Sequence, residues 1–295
     1  MKKLIKLIVL VLTLLTLTAC NTGVKETANT EAPANTEGSA EGEQEIKIYL
    51  TRHGKTILNT SDLAQGWIDA PLTQPGIDVA ESLGKGLSDI KFDAVYSSDS
   101  GRSIETAKIV LQHNGQPELF TNLIQDQRLR EFCFGMYEGM SNTEMATLVA
   151  EKQNLTYAEW VANISVLGYV NNNRKFANDL AELDKAINTG NKTWPAEDYQ
   201  TVTDRTRAAM DEIVATAQEK GETNILVVSH GMALAALLTD LNGADVEAGS
   251  GLKNASISLI IYKDGQYKVE SVNDMSYVEA GAAIMNEEEE ATASD

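Results

Sequence analysis

Residues 50–59 read Leu-Thr-Arg-His-Gly-Lys-Thr-Ile-Leu-Asn (LTRHGKTILN) and continue the apolar-rich run that starts at Ile46. The β-branched and aromatic residues of Ile46-Lys-Ile-Tyr-Leu-Thr predict a strand over 46–51. That strand ends on Arg52-His53-Gly54. Only three histidines occur in the 295 residues, so an imidazole beside a guanidinium at a strand end is a specific placement.

Two further strands end in a related way. Phe-Asp-Ala-Val-Tyr-Ser-Ser (92–98) runs into Asp99-Ser100-Gly101-Arg102, and Asn-Ile-Leu-Val-Val-Ser (224–229) runs into His230-Gly231. The last is apolar throughout its centre, as a strand buried on both faces should be. Between them lie helical patterns. In 73–90, Thr73 is placed to cap, and Ile77, Ala80, Leu83, Leu87 and Ile90 share a face. Residues 100–113 form a second helix stopped by Gly115, and 202–221 a third stopped by Gly221, with Glu197 and Asp198 serving its N-terminal end. A fourth, 232–241, follows His230. Residues 256–273 hold two strands joined at Asp264-Gly265, a hairpin signal. Residues 141 to about 200 are helix-leaning and rich in Asn, Ala and Glu, and are expected as a helical insertion over the site. The alternation predicts an α/β fold, a three-layer sandwich with a mostly parallel central sheet and helices on both faces.

In a parallel sheet the carboxyl ends of the strands share an edge, and ligands sit in the crevice there. Arg52, His53, Arg102 and His230 therefore converge. Arginine forks and helix starts suit phosphate oxygens, so the residues define an anion site containing two imidazoles. An imidazole among phosphate binders can attack phosphorus, provided that its other nitrogen donates to a backbone carbonyl and fixes the tautomer. Gly54 is expected to turn the chain and admit the phosphate to the backbone. Glu131, in Arg-Leu-Arg-Glu-Phe (128–132), is the candidate proton donor, with Asp126 and Glu138 as neighbouring carboxylates. Asp99 and Glu105 are the acids near Arg102 in sequence. His113 suits the end of its helix, Trp67 and Tyr137 suit packing or a pocket rim, and Lys55 suits the surface.

LTRHGKTILN, GWIDAPLTQPGIDVA (66–80), YSSDSGRSIETA (96–107), LREFCFGMYEGM (129–140) and VVSHG (227–231) together resemble the phosphoglycerate-mutase-like branch of the histidine phosphatase superfamily, in the family's order. The resemblance implies that His53 becomes phosphohistidine, that Arg52 and Arg102 bind the phosphoryl oxygens with help from Asn59, and that His230 stabilises charge on the transferring group. It implies that Glu131 protonates the leaving group and then activates water. It implies no metal or other cofactor, and a phosphorylated small molecule as substrate. Position 55 departs from the Glu or Gln common in this branch. Mutases of the branch carry additional basic residues after the catalytic glutamate, whereas no Lys or Arg occurs here from Glu131 to Glu151. Hydrolysis of phosphomonoesters is the expected reaction. Mutase-type transfer and a non-catalytic anion-binding surface protein are the alternatives.

The chain starts MKKLIKLIVLVLTLLTLTAC, a basic start and an apolar run too short to span a bilayer. Leu-Thr-Ala-Cys (17–20) resembles a lipobox, with Cys20 as the lipidated residue and residues 1–20 as a signal peptide. Two or three acyl chains suffice for stable anchoring. Residues 21–44 hold Val24 as their sole large apolar residue, and are expected as a disordered tether of ~27 Å root-mean-square span. The expectation is an extracytoplasmic lipoprotein anchored at Cys20, with a folded domain over 45–280 and a solvated acidic tail over 281–295. The net charge of −19, more negative once Lys2, Lys3 and Lys6 leave with the signal, argues against nucleic acid as a partner. Beside Cys20 stands only Cys133, expected to be a buried small apolar residue, so no internal disulfide is available.

Overall fold

A computed structural model describes residues 44–190 and 192–293. The expected signal peptide, Cys20 and nearly all of the expected tether lie outside these residues. Six strands form one sheet: β1 (Ile46–Arg52), β2 (Ala94–Ser97), β3 (Ile124–Gln125), β4 (Asn224–Ser229), β5 (Ile257–Lys263) and β6 (Gln266–Asp274), in the order β3-β2-β4-β1-β5-β6. The first four run parallel, and β5 and β6 close one edge antiparallel. At the β5–β6 turn Asp264 and Gly265 adopt φ of 51° and 75°, the left-handed pair that a two-residue hairpin demands.

Nine helices are described: α1 (Ile57–Thr60), α2 (Gln74–Gly86), α3 (Gly101–Asn114), α4 (Asn142–Lys152), α5 (Tyr157–Leu167), α6 (Tyr169–Ile187), α7 (Tyr199–Lys220), α8 (Gly231–Asn242) and α9 (Ser276–Ala293). Their ends follow from local chemistry. Thr73 accepts from Gly76 N–H and caps α2, Asp198 accepts from Thr201 N–H and caps α7, and Gly115 and Gly221 end α3 and α7 at φ of 83° and 72°.

Alternation along β4 splits the apolar core. Ile225 and Val227 join Ile46, Ile48 and Leu50 under Met210, Ile213, Leu234 and Leu237 of α7 and α8. Leu226 and Val228 pack the opposite way, with Tyr49 and Val95, against Leu83, Leu87 and Val110 of α2 and α3. A third cluster belongs to the insertion: Phe132, Phe134, Trp160, Phe176 and Leu180 meet Ala233 and Ala236 of α8. The insertion is thus α4 to α6 plus the loop that leads to α7.

The carboxyl end of the chain departs from the expected solvated tail. Residues 276–293 form α9, which packs on α2, so the folded domain extends past 280 to 293. Small residues allow it. A Cβ on Gly281 would lie 1.8 Å from Ser82 O and 2.6 Å from Gly86 N, so the helix backbones approach without side chains between them. Val278 joins the α2–α3 core, and Lys85 pairs with Glu288. The run of four glutamates is the solvated end of a docked helix. Charge composition could not report the apolar face before it.

Gly281→Val should therefore drive α9 off α2. Overpacking of this kind costs ~1–3 kcal/mol, which lowers Tm by roughly 2–10 °C in a domain of this size. Thermal unfolding of Gly281→Val beside Ala283→Val, at an exposed position of the same helix, checks it; the second variant should stay near wild type.

Candidate active site

The site begins with register. In the parallel β1–β4 pair, Arg52 lies opposite Ser229, and His53 N–H donates to Ser229 O at 3.0 Å. The next residues, His53 and His230, are brought together, with ring centroids 5.2 Å apart at 61°. Both are buried, 3% and 0% exposed.

His53 Nδ1 lies 2.7 Å from Gly54 O. The carbonyl can only accept, so Nδ1 carries the proton and Nε2 keeps its lone pair. The pKa of His53 is held well below the usual histidine range by burial first, then by Arg102 and Arg52. The neutral ring is thus favoured, with its lone pair on Nε2. Asn254 Nδ2 donates to His53 O at 2.8 Å and steadies the backbone. Gly54 is explained differently from the expectation: a Cβ there would lie 2.4 Å from Gly76 O, so the glycine admits the first turn of α2. Its N–H donates to Thr106 Oγ1.

Arg52 Nη1 donates to Leu252 O at 2.7 Å, while its Nε is buried without a protein partner. The Nε lies 3.2 Å from where a Cβ on Gly231 would stand, so the guanidinium rests on the first residue of α8. Arg102 is fully buried and more committed than its expected role allowed. Nη1 donates to Ile68 O and to Asp69 Oδ1, Nη2 to Gly66 O, and Nε to His230 Nδ1. Of five N–H donors one on Nη2 is left for an incoming oxygen. Its carboxylate partner is Asp69, distant in sequence. Asp99 instead pairs with Arg130, and Glu105 accepts from Leu72 N–H. Asp69 also accepts from Gly101 N–H at the start of α3.

His230 accepts from Arg102 on Nδ1 at 3.2 Å, and its Nε2 lies 3.4 Å from Ser100 Oγ and 3.5 Å from Ser103 Oγ. Burial, then Arg102 and His53, hold its pKa well below the usual range.

Glu131 is 7% exposed. Its Oε1 accepts from Phe132 and Ala233 N–H, and its Oε2 from Met232 N–H, so the carboxyl sits at the amino end of α8. Burial pushes its pKa up against the opposing pull of these N–H groups and of Arg102. The segment is clamped from behind. Arg205 donates to the carbonyls of Arg128, Arg130 and Glu131 and pairs with Glu197, and Trp67 Nε1 donates to Glu131 O. The neighbouring carboxylates point elsewhere: Asp126 pairs with Arg128, and Glu138 accepts from backbone N–H groups.

Asn59 is placed differently from a simple phosphate ligand. Its Oδ1 accepts from Thr56 N–H at 3.2 Å and closes the capping box of α1, leaving only its NH2 to turn toward a ligand. Two residues join the site unpredicted. Gln65 accepts from Thr56 Oγ1 at 2.6 Å, and its Nε2 is buried with no protein partner; only its place before Gly66-Trp67 could have marked it. Tyr169 begins α6 and packs its ring on Gly251. Burial pushes its phenol up, a hydrogen bond with Asn173 and then Arg52 pull it down, and Glu131 pushes it up, so this residue of the insertion lies within electrostatic reach of the site. Cys133 is buried with its thiol pushed up to about 12. His113 lies 3.6 Å from Glu81, away from the site, and Lys55 is exposed.

The model of the histidine phosphatase superfamily (branch 1) matches residues 48–164 and 170–275. The "Probable phosphoglycerate mutase GpmB" of Citrobacter koseri is 30% identical over 244 residues, covering 80% of this chain and 97% of its own. The crystal structure of phosphoglycerate mutase from Bacillus anthracis is 39% identical with a TM-score of 0.72, covering 82% of this chain and 98% of its own. A mycobacterial glucosyl-3-phosphoglycerate phosphatase, 21% identical with a TM-score of 0.57 over 78% of this chain and 100% of its own, shares the fold.

Burial of two neutral histidines makes stability depend on pH. In the unfolded chain each gains a proton as pH falls through ~6.5, while the folded rings, with depressed pKa values, do not. Stability therefore falls with falling pH, by up to about 1.4 kcal/mol per pH unit for each histidine. His53→Asn/His230→Asn should flatten the decline in denaturant-unfolding free energy between about pH 7 and pH 5.

Proposed function

The chain belongs to branch 1 of the histidine phosphatase superfamily, and we propose that it hydrolyses phosphomonoesters through a phosphohistidine on His53. The observation that carries this reading is the His53 tautomer: Nδ1 tied to Gly54 O, with Nε2 unprotonated near two arginines. Nε2 attacks phosphorus in line, the P–O bond to the alcohol breaks, and the phosphoryl group transfers to nitrogen. Arg52, the remaining Arg102 hydrogen and Gln65 Nε2 offer donors for the phosphoryl oxygens. Glu131, favoured as the neutral acid by its burial, gives its proton to the leaving oxygen. In the second step the Glu131 carboxylate takes a proton from water, which attacks phosphorus and frees His53 and inorganic phosphate.

The 39% identical phosphoglycerate mutase supports a second reading, return of the phosphoryl group to a sugar acid. That substrate brings a carboxylate besides its phosphate, and the surrounding cations are already engaged. Arg130 pairs with Asp99, Arg174 with Asp245, and Arg205 with Glu197. Water as acceptor and a neutral alcohol as leaving group suit this pocket better.

We assign the same enzyme to the extracytoplasmic face of a membrane, held by lipid on Cys20 and the 21–44 segment. The support is the leader and its lipobox-like Leu-Thr-Ala-Cys. Radiolabelled palmitate should enter the wild-type chain and not Cys20→Ser; equal labelling of both would remove the assignment.

Hydrolysis of p-nitrophenyl phosphate by the full chain, with EDTA present, should be retained. His53→Ala should lower it by roughly a thousandfold or more, and acid-labile phosphate trapped on the wild-type chain should be missing from the variant. Phosphoglycerate interconversion exceeding phosphate release would favour the mutase instead. Glu131→Gln should cut turnover of an alkyl phosphate by ~10²–10⁴-fold and slow phosphohistidine hydrolysis as well, while the first-turnover burst of nitrophenolate from p-nitrophenyl phosphate falls far less, because nitrophenolate leaves without a proton.

A further inference from the structure

Glu138 stands outside the reaction above, yet its half-buried carboxylate is heavily used. Oε1 accepts from the backbone N–H groups of Trp67 (2.8 Å) and Phe134 (2.9 Å), and Oε2 from those of Gly66 (3.1 Å) and Ile68 (3.2 Å). Four backbone donors thus converge on a single charged group, and such bonds are about twice as strong as neutral ones.

Three of these donors belong to the consecutive residues 66–68, and the same segment faces the site with its other groups. Gly66 O and Ile68 O accept from Arg102 Nη2 and Nη1 at 2.8 and 3.0 Å. Trp67 Nε1 donates to Glu131 O at 3.0 Å. Gln65, with its unpartnered Nε2, directly precedes the segment. The fit is close: a Cβ on Gly66 would lie 2.1 Å from Phe132 O and 2.4 Å from Glu138 Oε1. Arg102 in turn holds His230.

We propose that Glu138 is a positioning residue of the phosphate pocket, holding residues 66–68 so that Arg102 and Gln65 are set for the phosphoryl group. The proposal rests on the phosphoryl-transfer reading of Arg102 given above. Each Glu138 oxygen already accepts two N–H groups, which fills the lone-pair sites of a carboxylate and leaves it no part in proton transfer. Glutamine cannot replace it. Whichever way the amide turns, two backbone N–H groups face an NH2.

Orthovanadate binding by calorimetry, with KM, kcat and their pH dependence on p-nitrophenyl phosphate and kcat on an alkyl phosphate, tests this on the full chain for wild type, Glu138→Gln and Glu138→Asp. Val278→Ala, in the α2–α9 packing, is the control for lost stability. Both Glu138 variants should bind orthovanadate roughly tenfold or more weakly, a loss on the scale of one charged hydrogen bond. KM should rise in parallel and the pH profile should keep its shape. Val278→Ala should lower Tm without either effect. Wild-type orthovanadate affinity in whichever Glu138 variant folds would overturn the proposal, leaving Glu138 a purely structural group. Loss of kcat on an alkyl phosphate, whose leaving oxygen needs a proton, at unchanged orthovanadate affinity would overturn it as well, making Glu138 the proton donor. A wild type that binds orthovanadate without turnover would refute hydrolysis alone, and the affinities would still decide the role of Glu138. A wild type that binds none would overturn both.

Discussion

The parallel, in-register pairing of β1 with β4 is the constraint on which the site depends. Because Arg52 is opposite Ser229, the residues that follow, His53 and His230, leave the sheet side by side. A slip of one position would turn every strand side chain to the opposite face, exchanging the α7–α8 core for the α2–α3 core. Because β4 is packed on both faces, such a slip would have to repack two cores at once. The separation of the imidazoles is thus set by burial of Ile225, Leu226, Val227 and Val228, none of which takes part in the chemistry.

Around the two imidazoles the fold buries charge, which is costly unless every donor and acceptor is used. Arg102 is the centre of that arrangement, spending donors on two carbonyls, on Asp69 and on His230. The arginine is thereby fixed by four hydrogen bonds, and after burial itself its charge is the next influence holding both histidine pKa values down. Glu131 shows the complementary balance: burial raises its proton affinity while three backbone N–H groups moderate the rise. The donors left unpaired in the buried region, Arg52 Nε and Gln65 Nε2, are the exceptions that a phosphoryl group would satisfy.

Support for these side chains comes from segments with little regular structure. Arg205 grips the carbonyls of Arg128, Arg130 and Glu131, and Glu138 grips residues 66–68. Each lies far in sequence from part of what it holds. The insertion contributes the third cluster and brings Tyr169 within electrostatic reach of Arg52 and Glu131.

Much of this was legible in the chain alone. Periodicity and capping residues marked four of the nine described helices singly and three more as a helical insertion, together with five of the six strands and the hairpin at Asp264-Gly265. Strand ends carrying Arg-His-Gly, Ser-Gly-Arg and Ser-His-Gly marked His53, His230, Arg52 and Arg102, because parallel strands must share an edge. The two-residue β3 was too short for a periodic signal, and α9 was hidden behind its glutamates. Gln65, Asp69, Arg205 and Glu138 took their roles from contacts across 9, 33, 77 and 72 residues. Local sequence determined which elements form and which chemistry their ends carry. Only tertiary structure decided which donors stay unspent for a ligand, because hydrogen bonds between distant segments compete for the same few N–H groups.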